Sequence, residues 1–351
     1  MLGCSLGAVR PILAPLQLAL AKTPGAHVHA DYRSNLYYGS SQIHAAASGV
    51  TANVPAGEPT SAGMLVDGSD APTLVQGSGP VPYPGNSGSE YTAKVAWDAN
   101  GVTGDRVIWE ARKNADNRLT LHFVSGLLRF ESFVSGASEG FVAVAGVDDG
   151  NTHRAILYWD DATGTLSLDV DGQGLEGPEI FVNGSFDTWT DQSIPDGWIK
   201  SNHDASNYAE ESPAGSMRLM SDGANISVIQ IKLTPGLVYE VTTSDVAVTT
   251  GSMALWYGAG LQFTLPGGTS TAIIEPSSTN AALKRVSGNT DVSIGGISGK
   301  AIYARSGLTL PDNLVEYALG HSGGENQLNG YIPEISAANG DYREMWSPVP
   351  S

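Results

Sequence analysis

Trp189 and Trp198 sit in a stretch rich in Asp, Ser and Gly, and Asn202, His203, Asp204, Asn207 and Tyr208 follow closely. Trp256 and Tyr257 are adjacent further along. Flat rings beside amides, carboxylates and an imidazole are the side chains that hold a pyranose. A ring stacks on the apolar face of the sugar while amides and carboxylates bond its hydroxyls. Successive side chains of a strand point to opposite faces, so the Trp256/Tyr257 pair must offer one outward ring. Each ring also has a plainer reading as core packing. That is the expectation for Trp198, in Pro195-Asp196-Gly197-Trp198, while Trp189 is open between the two. The candidate carbohydrate-binding set is Trp189, His203, Tyr208, Trp256 and Tyr257.

Other chemistry is thinly represented. There is no Gly-x-Ser-x-Gly elbow, no phosphate-binding loop and no His-Glu-x-x-His. Glycoside hydrolysis needs two facing carboxylates, and nothing in the sequence singles out Glu110, Glu131 or Glu179 for that role. His122 and His153 read as satisfied sheet residues. His27 and His29 have no Cys or further His close by in sequence, so a solvated loop is expected there rather than a zinc site. Asp148-Asp149-Gly150-Asn151 and Asp160-Asp161-Ala162-Thr163-Gly164 read as hairpin turns. Thirty-six acidic against eighteen basic residues give a net charge of −18. No long basic run exists, so a nucleic-acid partner is not expected. Acidic groups in loops suit Ca²⁺, which prefers oxygen ligands; their plainer role is to keep a β surface soluble.

The elements that must position these residues are strands. The chain has 43 Gly and 19 Pro, and only 15% of it is charged. Short apolar runs separated by turn residues indicate an all-β fold of sandwiches or barrels. Strands are expected at Tyr91 to Trp97, Val107 to Ala111, Leu119 to Phe123, Leu127 to Glu131, Phe141 to Ala145, Thr152 to Trp159 and Thr165 to Val170. A second set is expected at Ile226 to Leu233, Leu237 to Thr243, Met253 to Tyr257 and Leu261 to Leu265. Ser125-Gly126 reads as a tight turn. The single cysteine, Cys4, allows no intrachain disulfide. The start of the chain lacks the pattern of a signal peptide, and no apolar run is long enough for a membrane helix. Leu16 to Ala21 suggests a helical turn or two. Residues 1–88 read as an irregular arm, with Tyr32, Tyr37 and Tyr38 as anchors for a partner.

Three motifs carry a first resemblance: "FVNGSFDTWTDQSIPDGW", "QIKLTPGLVYEV" and "DVSIGGIS". In this order they resemble the jelly-roll carbohydrate-binding modules. The resemblance implies a structural Ca²⁺ near the opening and last strands, with Asn183, Asp187 and Asp291 as ligands; local turn formation by the same Asn and Asp residues is the alternative. "DNRLTLHFVSGLLRFES", "DDGNTHRAILYWDDATGTLSLDVDG" and the late segment "GKAIYARSGLTLPDNLVEYALGHSGGENQLNGYIPEIS" resemble the concanavalin-like, laminin-G-like sandwiches. The two resemblances imply a discontinuous sandwich, 89–177 with 300–351, and a jelly roll at 178–299 inserted in it; the alternative is two consecutive domains with a separate C-terminal piece. The combination of arm, sandwich and "LNGYI" ending is similar to tail, fibre and decoration proteins of bacteriophages. It implies a virion component made in the host cytoplasm and exposed on the particle. Its arm would hold other virion proteins, and its many copies or homo-oligomer would meet a host surface glycan without enzymatic activity or membrane insertion. The alternatives are a structural protein making only protein contacts and a particle-borne enzyme that degrades polysaccharide.

Overall fold

The computed structural model describes backbone and side chains at residues 90–97, 105–312 and 314. It describes backbone alone at 98–100, in short strands between 28 and 76, and at 316–319 and 330–339. The described residues are all-β. The early strands are β1 (Val28–Asp31), β2 (His44–Ala45), β3 (Val50–Asn53), β4 (Pro59–Thr60), β5 (Gly63–Val66) and β6 (Thr73–Gln76). Then come β7 (Glu90–Asn100), β8 (Arg106–Asn114), β9 (Asn117–Val124), β10 (Leu127–Val134), β11 (Ala137–Ala145), β12 (Asp149–Asp160) and β13 (Thr165–Val170). The next set is β14 (Glu176–Glu179), β15 (Ile199–Ser201), β16 (Tyr208–Glu211), β17 (Met217–Ser221), β18 (Ser227–Ile231), β19 (Tyr239–Thr250) and β20 (Met253–Gly258). It continues with β21 (Leu261–Thr264), β22 (Gly268–Ile274), β23 (Asn280–Arg285), β24 (Thr290–Ile294), β25 (Gly296–Ile302) and β26 (Ala304–Arg305). The last are β27 (Glu316–Leu319) and β28 (Gly330–Asn339). No helix among the described residues is long and apolar enough to cross a membrane.

The chain divides into two compact units. The first draws on the described residues of Met1–Gly140, Gly146–Gly172 and Ser306–Ser351, and the second on Phe141–Ala145 and Gln173–Arg305. In the first unit one sheet runs β2-β1-β28-β7-β12-β13 and the other β11-β10-β9-β8-β27-β6-β3. The late strands β27 and β28 are hydrogen-bonded to β8 and β7.

Aromatic residues fill the space between these sheets. Trp109 of β8 lies 5.7 Å from Trp159 of β12, which stacks on Tyr91 of β7 at 5.4 Å. Phe130 of β10 closes the cluster against both tryptophans. All four rings are buried. Each large ring removes on the order of 150–250 Å² from water, which suffices to clamp the two sheets face to face.

The turn at Ser125-Gly126 has φ of 52° and 79°. Two successive left-handed residues make the turn that matches strand twist, and glycine takes the second position without strain. Ser135-Gly136 repeats the device between β10 and β11 with φ of 52° and 81°.

The segment expected as an irregular arm, 1–88, contributes the six short strands β1–β6. β1 and β5 pair with β28, and β6 pairs with β27. Runs of two to four residues between Gly and Pro are too short to stand out from loop composition. Leu16 to Ala21, Cys4, His27, Tyr32, Tyr37 and Tyr38 lie outside the described residues.

The second unit is also a sandwich. Its larger sheet runs β14-β25-β19-β24-β17-β16, with β22 also on β19, and its smaller sheet runs β15-β18-β23-β20-β21. Met217, Leu219, Val241, Val292 and Ile294 from the larger sheet are fully buried, as are Val228, Leu255 and Leu283 from the smaller one.

Candidate functional site

The smaller sheet of the second unit has its two faces fixed by register. Val228 is opposite Leu283, and Leu283 opposite Leu255, so these fully buried residues define the inner face. One position along each strand lies a row on the outer face: Ile199, Ile229, Ala282, Trp256 and Gln262. Two positions from it lies Ser201, Ser227, Lys284, Ala254 and Thr264, and Ile231 is opposite Asn280 on the other side. Ile199 and Ile231 are 54% and 61% exposed. Lys284 Nζ stands 4.7 Å from the centre of the Trp256 ring. Ala282 across from Trp256 and Ala254 two residues before it are the small neighbours of the indole. These rows contain no Asp or Glu. The result is an apolar strip with one large ring, rimmed by two amides, the hydroxyls of Ser201 and Thr264 and one ammonium, while Ser227 and Ala254 are buried.

The sequence-derived set divides between different parts of this unit. Trp256 is on the outer face described above. Tyr257 takes the opposite side of β20, where burial and the charge of Glu275 raise its hydroxyl pKa. His203 follows β15, and both of its ring nitrogens are buried. Burial lowers its pKa against the weaker pull of the nearby Ser227 backbone. Tyr208 is on β16, at the edge of the larger sheet, opposite Met220. Trp189 is in the loop before β15, where its Nε1 donates to Phe186 O at 2.6 Å. Trp198 is buried and stacks on Phe181 with centroids 5.9 Å apart.

The Asn-Gly-x-Phe motif has a physical explanation in this loop. A Cβ on Gly184 would sit 2.1 Å from Ile297 O, so only glycine lets the loop approach β25. Phe186 is fully buried at φ 56°. Asn183 Nδ2 donates to Thr188 O and Asp196 O, and its Oδ1 accepts from Thr188 N. Of the residues expected around calcium, Asn183 is thus engaged in its own turn. Asp291 accepts from Arg218 Nε and Nη2, both at 2.8 Å, and that guanidinium holds its carboxyl below the usual range. Asp187 is exposed. Among the described residues no group of three or more His, Cys, Asp or Glu is placed to hold a metal ion. With Asn183 and Asp291 engaged elsewhere, the three do not fit a shared Ca²⁺ shell, which needs six to eight oxygens.

The outer face of the β8–β9–β10 sheet in the first unit carries the other charged cluster. Glu110, Thr120 and Glu131 form one row across it, and Arg112, Arg118 and Phe133 form the next. Glu110 is 0% exposed and lies 3.3 Å from Arg112 Nη1 and 3.5 Å from Arg118 Nε. The Arg118 guanidinium covers the Phe133 ring at 3.9 Å. Glu131 is 6% exposed and 2.9 Å from His122 Nε2. Burial alone would raise the Glu131 pKa, but hydrogen bonds from His122 and Ser138 and the charges of His122 and Arg129 lower it. A glycosidase acid needs the opposite shift. Glu179 accepts backbone N–H bonds from Phe181 and Gly299 and holds β25 against its neighbour. At the far end of β12, His153 is bonded to Asp171 at 2.7 Å and to Asp149 at 2.9 Å. Both sheet histidines are therefore satisfied by carboxylates.

No family model matches the chain, and no curated protein matches its sequence. Among solved structures, it is similar to domains LG4-5 of the mouse laminin alpha1 chain at 13% identity and a TM-score of 0.24. That match covers 78% of this chain and 85% of the laminin fragment. It is similar to a Shewanella oneidensis MR-1 protein of unknown function at 10% identity and a TM-score of 0.27, covering 86% and 97%. A fucolectin from striped bass serum (Morone saxatilis) gives 8% identity and a TM-score of 0.25, covering 72% and 85%. Scores this far below 0.5 carry no argument, so the functional reading rests on the side chains.

Proposed function

We propose that this chain is a non-enzymatic glycan-binding protein. The saccharide lies on the outer face of the β15-β18-β23-β20-β21 sheet. The observation that carries the reading is the row Ile199, Ile229, Ala282, Trp256 and Gln262. Its one large ring is set among small and aliphatic residues, with Asn280, Ser201 and Thr264 within one or two strands. The indole offers a face to the C–H side of a pyranose, and the amides and hydroxyls offer partners to its hydroxyls. A single stacked ring gives weak affinity, which becomes useful when many copies act together. The adhesin setting, on a bacteriophage-like particle facing a host surface glycan, rests on the sequence resemblance of the arm, the sandwich and the "LNGYI" ending. In that setting the second unit is an insertion in the chain of the first.

The test is binding of the full chain to a panel of bacterial surface polysaccharides, with polymer length followed in the same samples. Saturable binding, unchanged polymer length and loss of binding in Trp256→Ala are the expected results. A folded Trp256→Ala chain that binds as wild type overturns the assignment of the face, and shortened polymer overturns the non-enzymatic reading. Ile199 and Ile231 on the same face favour a second reading, a protein-docking strip. A folded chain that ignores every polysaccharide would support that reading.

A further inference from the structure

We infer that the saccharide held on this face is acidic and that Lys284 reads its negative charge. The inference rests on the glycan reading above and adds the chemical class of ligand. It starts from how this unit treats its cations. Lys200 is paired with Asp191, Arg218 with Asp291 and Glu210, Lys300 with Glu176, and Arg305 with Glu275. Arg285 donates to three neutral oxygens, of Ala224, Gly288 and Asn225. Lys232 stands exposed beyond the end of β18. Lys284 differs from all of these. It is half-buried in the middle of a sheet, and among the described residues its ammonium has the Trp256 ring and no carboxylate.

Acids outnumber bases two to one in this chain, 36 to 18. In such a chain a central lysine with no acid beside it is conspicuous. Ring contact offsets only part of an ammonium's need for acceptors. A cation–π contact at a partly exposed site contributes about 0.5–1 kcal/mol, and an ammonium has three N–H donors. Among the described residues the strand rows of this face supply no competing anion: they hold Ser, Thr, Asn, Gln, Ala and Ile beside Trp256. A carboxylate or phosphate on a sugar stacked against the indole would therefore meet a cation and no like charge. Among the described residues these rows also hold no carboxylate that could accept from the hydroxyls of a neutral sugar. The same −18 charge repels acidic polymers elsewhere on the surface, so the acid-free face also sets where such a polymer docks.

The experiment uses the full chain and pairs of polymers that differ only in charge. Alginate, polygalacturonate and colominic acid are each compared with their carboxyl-reduced, neutral forms. A phosphate-bearing cell-wall polysaccharide is compared with its dephosphorylated form. Affinity at low salt is expected to be about tenfold higher for the acidic member of at least one pair, the size of one charge-assisted hydrogen bond. The pair that discriminates tells carboxylate from phosphate. The preference is expected to narrow as salt rises, to vanish in Lys284→Met and to survive in Lys284→Arg. Equal binding of both members of every pair, lost in Trp256→Ala, would refute the acidic ligand and leave the glycan face standing. Acid preference unchanged in Lys284→Met would refute the role of Lys284. No binding to any polymer would remove both readings.

Discussion

Each unit presents a sheet face on which a cation covers an aromatic ring, and the two faces use that pair differently. In the first unit Arg118 lies over Phe133 at 3.9 Å and also faces the buried Glu110. In the second, Lys284 lies over Trp256 at 4.7 Å and, among the described residues, faces no carboxylate. The first arrangement is electrically closed: its carboxylates Glu110 and Glu131 already have Arg112, Arg118 and His122. The second leaves a charge for something outside the chain. A ring with a cation on it therefore does not identify a binding site. What distinguishes the two faces is whether the protein itself supplies the counter-charge.

That contrast can be broken from either side. The largest expected effect is on stability, in the first unit. Glu110→Gln leaves Arg112 and Arg118 without their buried partner and is expected to destabilise by about 3 kcal/mol, as for a broken buried ion pair. Urea unfolding followed by intrinsic fluorescence reads it, with glycan binding unchanged under conditions where the variant is folded. A loss below about 0.5 kcal/mol, the range of ordinary surface changes, would show that the first face is not closed in the sense argued. The next effect is on binding, in the second unit. Trp256→Ala is expected to lower saccharide affinity at least about tenfold, the scale of a stacked anchor. Calorimetric melting should move little, because the ring is on the outer face.

The strands were legible in the sequence because alternation and Gly-rich turns are local signals. Ser125-Gly126, the β18 and β20 runs and the buried Trp198 follow from such signals. The site was legible only in part. Trp256 could be singled out because its neighbour Tyr257 had to point the other way. Lys284, Asn280 and the three isoleucines are not legible as site residues, because the pairing of β15, β18, β23 and β20 joins residues far apart in sequence. The only local hint was Leu283-Lys284, which must straddle the sheet. Trp189 and Tyr208 looked like site residues because aromatic and amide neighbours in sequence resemble a binding loop. The fold instead gives Trp189 Nε1 to Phe186 O and puts Tyr208 on the other sheet. An Asn or Asp in sequence suits an ion, a turn or an arginine alike, so the bonding of Asn183 within its own loop and of Asp291 to Arg218 is not legible there.

Two smaller effects sharpen the comparison. In the first unit the His153 ring is held between two carboxylates. Burial alone would lower its pKa, but the hydrogen bonds and charges of Asp171 and Asp149 raise it above the ordinary 6.5. The protonated form is favoured in the folded chain. Its contribution is fully present below the unfolded value and is lost as pH rises through the folded one. Unfolding free energy should thus decline on that upward titration in the wild type and stay flatter in His153→Asn; equal slopes would contradict it. Smallest of all is the expected response to chelation. With Asp291 held by Arg218 at 2.8 Å on both oxygens, EDTA should leave the melting midpoint unmoved. A clear drop, restored by Ca²⁺, would mean that the Arg218–Asp291 pair opens to a metal.

The most direct test is amide hydrogen exchange on the full chain, free and saturated with whichever polysaccharide binds. Slowed exchange in β18, β20 and β23, with β8, β9 and β10 unchanged, is the expected pattern. Protection confined to β8–β10, or to the loop around Trp189, would contradict the assignment of the open face.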